Sequence, residues 1–259
     1  MTRRSSDRVD PLGSTAATDS TGPTDPAAVG AGGRSAGDAG PAEVFEVTTP
    51  VGAARVTVRR ATAVPARAWF VASHGAGGGI EARDLAALAA ALPARGIHVA
   101  LVEQPWRVAG RRLAPAPGTL DAGWLPVLAE IARRNAVEGL PVFGSGRSAG
   151  ARVACRTAAE TNVAGVVALA FPLHPPGRPE RSRLAELLGA GVPTLVVQGE
   201  RDSFGGPDEF PADGPTLLRV PFADHGFAVP KRAAITQEAA LALITAGVGD
   251  WLVAASARE

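Results

Sequence analysis

The 259-residue sequence predicts an α/β domain built on a mainly parallel, doubly wound sheet with an antiparallel N-terminal edge. Three observations carry this reading. From Ala68 onward, short apolar or β-branched runs alternate with stretches of helical periodicity, the pattern that forces parallel strands with helices on both faces. Ahead of them, two strand-like runs flank a turn. Residues 1–42 hold almost no large apolar side chains and cannot offset ordering entropy by burial, so they read as a disordered Gly/Ala/Ser/Pro-rich tail before a domain spanning 43–259.

Val44-Phe45-Glu46-Val47 and Arg55-Val56-Thr57-Val58-Arg59, separated by Thr49-Pro50-Val51-Gly52, form the antiparallel edge; the second run alternates Arg or Thr with Val, which predicts one wet face. Further strands are expected over 68–73, 97–102, 141–143, 165–171, 194–198 and 216–220. Leu85, Leu88 and Leu92 mark the inner face of one helix, and Leu125, Leu128 and Ile131 that of another. After Ser148, Ala151, Ala154, Cys155 and Ala158 form an apolar stripe, while Arg152, Arg156 and Glu160 fall opposite at i, i+4 spacing. A last helix near 236–254 turns Ala240, Ile244, Val248 and Trp251 inward. Only about two dozen residues separate the strands ending at Phe171 and starting at Thr194, room for one short helix over 184–188 but not for a separate lid domain.

The net charge is +1 and the arginines are scattered, which argues against a nucleic-acid surface or an anionic membrane anchor. Arginine almost wholly replaces lysine, Lys231 being the only one, a compositional habit without functional content. The longest uninterrupted apolar run, 165–171, falls far short of the roughly twenty residues that span a bilayer. No apolar stretch follows Arg3 and Arg4, so a secretory signal is not expected and the cytoplasm is the expected location. The single cysteine cannot form an internal disulfide, and no Cys/His spacing resembles a metal site. Cys155 reads as core filler, and neither metal nor cofactor is expected.

Gly146-Arg147-Ser148-Ala149-Gly150 places a serine between a strand and a helix. A glycine on either side lets the backbone turn tightly, so that the hydroxyl stands clear of the sheet. In a glycine-rich chain this pattern arises easily by chance, and its meaning depends on what accompanies it. An acyl-transfer serine needs a base, an acid that orients the base and fixed N–H donors for an oxyanion, all at the carboxyl ends of strands. Asp202 lies just beyond the run Thr194-Leu195-Val196-Val197-Gln198, in the expected order after the serine; Glu200 is its competitor, and a turn or N-cap role its plainer alternative. Of four histidines, His98 lies inside a strand, His74 precedes the serine and His174 precedes the acid. Only His225, in Ala223-Asp224-His225-Gly226, follows both, and its alternative is to cap the last helix. Ser73-His74-Gly75-Ala76-Gly77-Gly78-Gly79 follows a strand and is expected to donate the Ala76 N–H to the oxyanion, with Ala149 at a helix N-terminus donating the other. A phosphate-binding reading of this loop is weak, because it has neither the lysine of a P-loop nor a proper G-x-G-x-x-G.

With these residues in place, the span from about Val44 onward resembles the α/β-hydrolase superfamily. More narrowly, the oxyanion loop, the Ser148 corner, Phe171-Pro172-Leu173-His174-Pro175-Pro176-Gly177 and Gln198-Gly199-Glu200-Arg201-Asp202 look like the small hydrolase group of the testis-expressed Tex-type proteins and the hydrolase-like domain of an NSL-complex subunit, related to dienelactone hydrolases. The resemblance implies the fold and the triad Ser148, Asp202 and His225. Dienelactone hydrolases proper use a cysteine where Ser148 stands, so their lactone specificity does not carry over.

The expected activity is hydrolysis of small carboxylic esters, with thioesters or amides as alternatives, through an acyl-enzyme. His74, Gly75, Trp106, Arg107, Arg147 and His174 are the expected substrate-binding residues. Arginines in the loops 104–120 and 174–183 would suit an anionic substrate if they faced the serine; a solvated surface is the plainer reading. From another class, the chain could be a catalytically idle scaffold for protein interaction.

Overall fold

Among the described residues, eight strands join in one sheet in the order β1-β2-β4-β3-β5-β6-β7-β8. The computed structural model describes residues 42–257, so the reading of the tail falls, except for Ala42, outside the described residues. β1 (Glu43–Thr49) and β2 (Gly52–Arg59) pair antiparallel, and β2 pairs antiparallel with β4 (Ile97–Glu103). In β2, Ala54, Val56 and Val58 are buried while Arg55, Thr57 and Arg59 are partly exposed, the alternation the sequence predicts. Gly52 adopts φ +118°, a turn conformation that disfavours any side chain.

β3 (Ala68–Ser73), β5 (Val142–Arg147), β6 (Gly165–Leu169), β7 (Thr194–Gly199) and β8 (Thr216–Val220) run parallel with β4. From β3 the chain winds outward to β4 and then returns past β3 to β5. The winding direction thus reverses between β3 and β5, and the crevice of such a sheet opens there, beyond the strands' carboxyl ends.

Helices cover both faces. α1 (Arg83–Ala91) and α6 (Gln237–Ser256) pack on the face of Ala68, Phe70 and Ala72. α3 (Pro117–Arg134), α4 (Ala149–Ala158) and the short α5 (Leu184–Leu188) cover the face of Trp69 and Val71. The five-residue α5 is the sole helix between β6 and β7, so no separate lid domain is inserted there.

Several local expectations shift. β5 extends to Arg147 rather than stopping at Phe143, because Gly144-Ser145-Gly146 still pairs with both neighbours despite low strand propensity. β6 stops at Leu169, since Ala170 turns to φ +46°. A one-turn helix, α2 (Pro105–Val108), lies within the loop after β4. In α3 the buried face is Leu120, Trp124, Val127, Leu128 and Ile131, leaving Leu125 at its shoulder. Arg152 and Arg156 reach across to Glu186 and Asp121 instead of pairing along α4 with Glu160. In α6, Leu252 takes the buried position predicted for Trp251, whose ring packs edge-on against Phe143. α6 is apolar on nearly all sides, so periodicity could not decide between adjacent residues. By length and composition alone α6 could cross a membrane, with mean hydropathy 1.6, a property hidden from a search for uninterrupted runs; here Ala240, Ile244, Val248 and Leu252 are fully buried in the domain. Cys155 is packed in the core, and burial pushes its thiol up to about 12.

Candidate active site

β5 delivers the chain into a corner at Ser148, whose φ of 53° and ψ of −109° are unusual for a residue with a side chain. Backbone strain of this kind costs about 1–3 kcal/mol and persists only where the surroundings enforce it. Here they do. A Cβ on Gly146 would lie 2.3 Å from the Gly150 carbonyl carbon, and one on Gly150 would lie 2.7 Å from the Ser73 oxygen. Both glycines are therefore required by the close approach of β5, α4 and the end of β3. The Ser148 N–H donates to Leu169 O at 2.9 Å, which ties the corner to β6.

The Ser148 Oγ lies 2.9 Å from His225 Nε2, and His225 Nδ1 lies 2.8 Å from Asp202 Oδ2. The Asp202 side chain is fully buried and also accepts hydrogen bonds from Gln198 Nε2 (2.9 Å) and the Phe204 N–H (2.8 Å). With Asp202 accepting, Nδ1 carries a proton and Nε2 is left to accept from the serine. Phe204 stacks on the imidazole with ring centroids 4.2 Å apart. The loop that carries His225 is closed by Asp224, whose Oδ1 accepts the Gly226 and Ala228 N–H groups. Glu200, the competing acid, instead accepts the Phe222 N–H at the surface. The last helix is capped by Thr236 and not by His225.

Opposite Ser148, Gly75 comes so close that a Cβ there would lie 3.4 Å from the Ser148 Cβ. His74 anchors this loop, its Nδ1 donating to Gly75 O (2.9 Å) and its Nε2 accepting the Gln104 N–H (3.1 Å). Burial holds its pKa below the ordinary histidine value, which suits this neutral tautomer. Ala76 follows directly. The Ala149 N–H is the first of α4 and so has no acceptor within the helix.

The remaining residues expected to bind substrate are placed differently from one another. Trp106 is buried, edge-on to His74 at 5.5 Å, whereas Arg107 is exposed and pairs with Glu81 at 3.5 Å. Arg147 turns to Asp84 (3.4 Å) and donates from Nη2 to His225 O at 2.9 Å, so it braces the His225 loop. His174 is buried between Glu209 Oε2 (2.8 Å) and Pro175 O (2.9 Å). Sequence reasoning missed Asp84, Gln104, Gln198, Phe204 and Glu209. Gln198 left a usable signal, a polar residue ending an otherwise apolar strand beside the proposed acid.

No curated protein matches the sequence. Among solved structures, the chain is similar to a serine hydrolase homologue from Coxiella burnetii (19% identity, TM-score 0.63, 82% of this chain and 96% of that one). It is likewise similar to a lid-less serine hydrolase from Xanthomonas campestris (20%, 0.63, 82% and 95%) and to a dienelactone hydrolase from Anabaena variabilis (20%, 0.64, 82% and 97%). A family model described as "Alpha/beta hydrolase domain" matches residues 66–253, most of the chain, and the protein therefore belongs to the alpha/beta hydrolase family.

Proposed function

We propose that the protein is a serine hydrolase that cleaves small carboxylic esters, its chemistry extending to thioesters or amides, through an acyl-enzyme on Ser148. The observation that carries this is the unbroken line of hydrogen bonds from Ser148 Oγ through His225 to buried Asp202, at 2.9 and 2.8 Å. As Oγ attacks the carbonyl carbon, its proton passes to His225 Nε2, and Asp202 stabilises the imidazolium that forms. The carbonyl oxygen becomes an oxyanion held by the Ala76 and Ala149 N–H groups, the latter aided by the N-terminal dipole of α4. Collapse of the intermediate breaks the carbon–oxygen bond, and His225 returns the proton to the leaving alkoxide. A water then gives its proton to His225 and attacks the acyl-enzyme, releasing the acid and restoring the Ser148 hydroxyl. The connection between β6 and β7, which carries one short helix and no lid domain, suits small substrates. The narrower likeness to the Tex-type group rests on the four motifs quoted above.

Turnover of a short-chain nitrophenyl ester, together with labelling by a fluorophosphonate, is expected of the folded protein and is expected to vanish in Ser148→Ala. A folded wild type that does neither is the scaffold of the alternative reading.

A further inference from the structure

Phe204 touches both members of the proposed acid–base pair. It stands two residues after Asp202, in the loop that follows β7. Its N–H donates to Asp202 Oδ1 at 2.8 Å, and its half-buried ring lies against His225 with centroids 4.2 Å apart and 32° between the planes. That is a stacked approach, face toward face, rather than an edge-on one.

The ring is held there from several sides. The Phe204 carbonyl accepts the His174 N–H at 3.0 Å, and the Gly205 carbonyl accepts from Gln198 Nε2 at 2.7 Å, the same amide that donates to Asp202 Oδ2. Gly205 adopts φ +123°, and a Cβ there would lie 2.7 Å from the Leu173 Cβ, so the chain is pressed against the loop after β6. The groups that fix the acid therefore fix the ring as well.

Both nitrogens of His225 are already engaged, Nδ1 by Asp202 and Nε2 by Ser148, so a further group can act on the imidazole only from a face. The face of a phenyl ring is the negative part of its quadrupole; it attracts a cation over it and gives a neutral ring much less. The His225 side chain is 21% exposed, which limits screening of that attraction by water.

We propose that Phe204 is a positioning residue for acyl transfer, its ring face favouring the imidazolium that forms when Ser148 Oγ gives its proton to His225 Nε2. The inference rests on the ester-hydrolase reading. The charge appears beside the ring only as the proton arrives, so the attraction is stronger in the transition state than in the substrate complex. It acts on kcat and leaves KM alone.

The test measures kcat and KM for a short-chain nitrophenyl ester, across pH, in wild type, Phe204→Leu, Phe204→Tyr and a protein carrying a trifluorinated phenylalanine at position 204, each checked for folding by its Tm. The fluorinated ring keeps nearly the same shape with a much less negative face. Phe204→Leu is expected to lower kcat about 5-fold with KM unchanged, Phe204→Tyr to stay within about 2-fold of wild type, and the fluorinated ring to fall between them. The charged groups around His225 are the same in all four proteins: Asp202 on its ring, Arg147 on its carbonyl and Asp224 in its loop. The leucine and fluorinated proteins are therefore expected to hold their kcat/KM to lower pH than wild type, because a less favoured imidazolium forms only in stronger acid. A fluorinated protein with the kcat and pH profile of wild type overturns the proposal, since the ring then only fills space, and so does Phe204→Leu at the wild-type rate. If Phe204→Leu does not fold, the fluorinated ring decides alone. A wild type that turns over the ester no faster than its variants refutes the role of Phe204 alone; one that is neither active nor labelled by a fluorophosphonate refutes the hydrolase reading with it.

Discussion

Two histidines at the carboxyl ends of the strands each face a carboxylate at 2.8 Å, His225 on Asp202 and His174 on Glu209. Residue types and distance are the same, and the difference lies at the other ring nitrogen. In His225 it meets the Ser148 hydroxyl, which can donate, so that nitrogen is placed to accept, as the proposed base must. In His174 it meets the Pro175 carbonyl, which can only accept, so both ring nitrogens are called on to donate and the cation is favoured. The pKa of His174 is accordingly raised, by the Pro175 carbonyl and then by Glu209, against burial and the charge of Arg183. At His225 one ring nitrogen accepts and the other donates; at His174 both are placed to donate. The pairs are also linked, since the His174 N–H donates to the carbonyl of Phe204, whose ring stacks on His225. A histidine–carboxylate contact therefore identifies a base only when the second nitrogen has a proton donor in reach.

The largest expected effect separates the two carboxylates. Asp202→Asn puts an amide donor where His225 needs an acceptor and is expected to lower kcat about 10⁴-fold. Glu209→Gln, an equally small change on the other pair, is expected to leave kcat within about 3-fold while lowering the Tm by a few degrees. Equal losses of rate from both would mean that the two histidine–carboxylate pairs do not differ in role.

A second prediction concerns the Arg147–Asp84 pair that braces the His225 loop. Asp84 is fully buried, neither oxygen has a hydrogen-bond partner among the described residues, and burial raises its pKa against the pull of Arg147. Removing one partner of a buried pair strands the other, so Arg147→Met is expected to destabilise the fold by about 3 kcal/mol in urea unfolding. Adding Asp84→Leu is expected to recover most of that loss but not the fall in kcat expected once the His225 carbonyl loses its Arg147 donor. Strict additivity of the two substitutions would show that they do not interact.

The smallest effect is one of pH. The pKa of His174 lies above its ordinary 6.5, so its contribution to stability is full below that value and is lost as pH rises through the folded pKa. That of Glu209 lies below 4.5, so its contribution is present above 4.5 and lost as pH falls through the folded value. The His174–Glu209 pair is thus strongest between about pH 4.5 and 6.5. Because Glu209 is nearly half exposed, the Tm difference between wild type and His174→Asn is expected to be only about 2 °C in that window, shrinking above it. A difference that grows with alkaline pH would reverse the assignment of charge.

Much of this arrangement was legible in the sequence because it is written at strand ends. The corner at Ser148, Asp202 after β7 and His225 after β8 each follow an apolar run, and their chain order excluded His74, His98 and His174 as the base. Most of the supports were not legible. Gln198 left a signal because it lies four residues before Asp202, but Arg147 with Asp84 and His174 with Glu209 join separate elements, and a polar residue's sequence does not record which distant partner folding will bring to it. The errors in β5, α3 and α6 share another cause, since glycine-rich strands and helices apolar on most sides blur the periodicity that locates a buried face.

The central claim is that the geometry around Ser148 makes it the one activated hydroxyl. Peptide mapping by mass spectrometry after brief exposure to a fluorophosphonate tests this most directly, in wild type, Ser148→Ala and His225→Ala, each checked for folding by its Tm. The expected result is a single adduct on Ser148, absent from Ser148→Ala and slowed at least about 10³-fold in His225→Ala. An adduct on another residue, or labelling of Ser148 at an undiminished rate without His225, would contradict it.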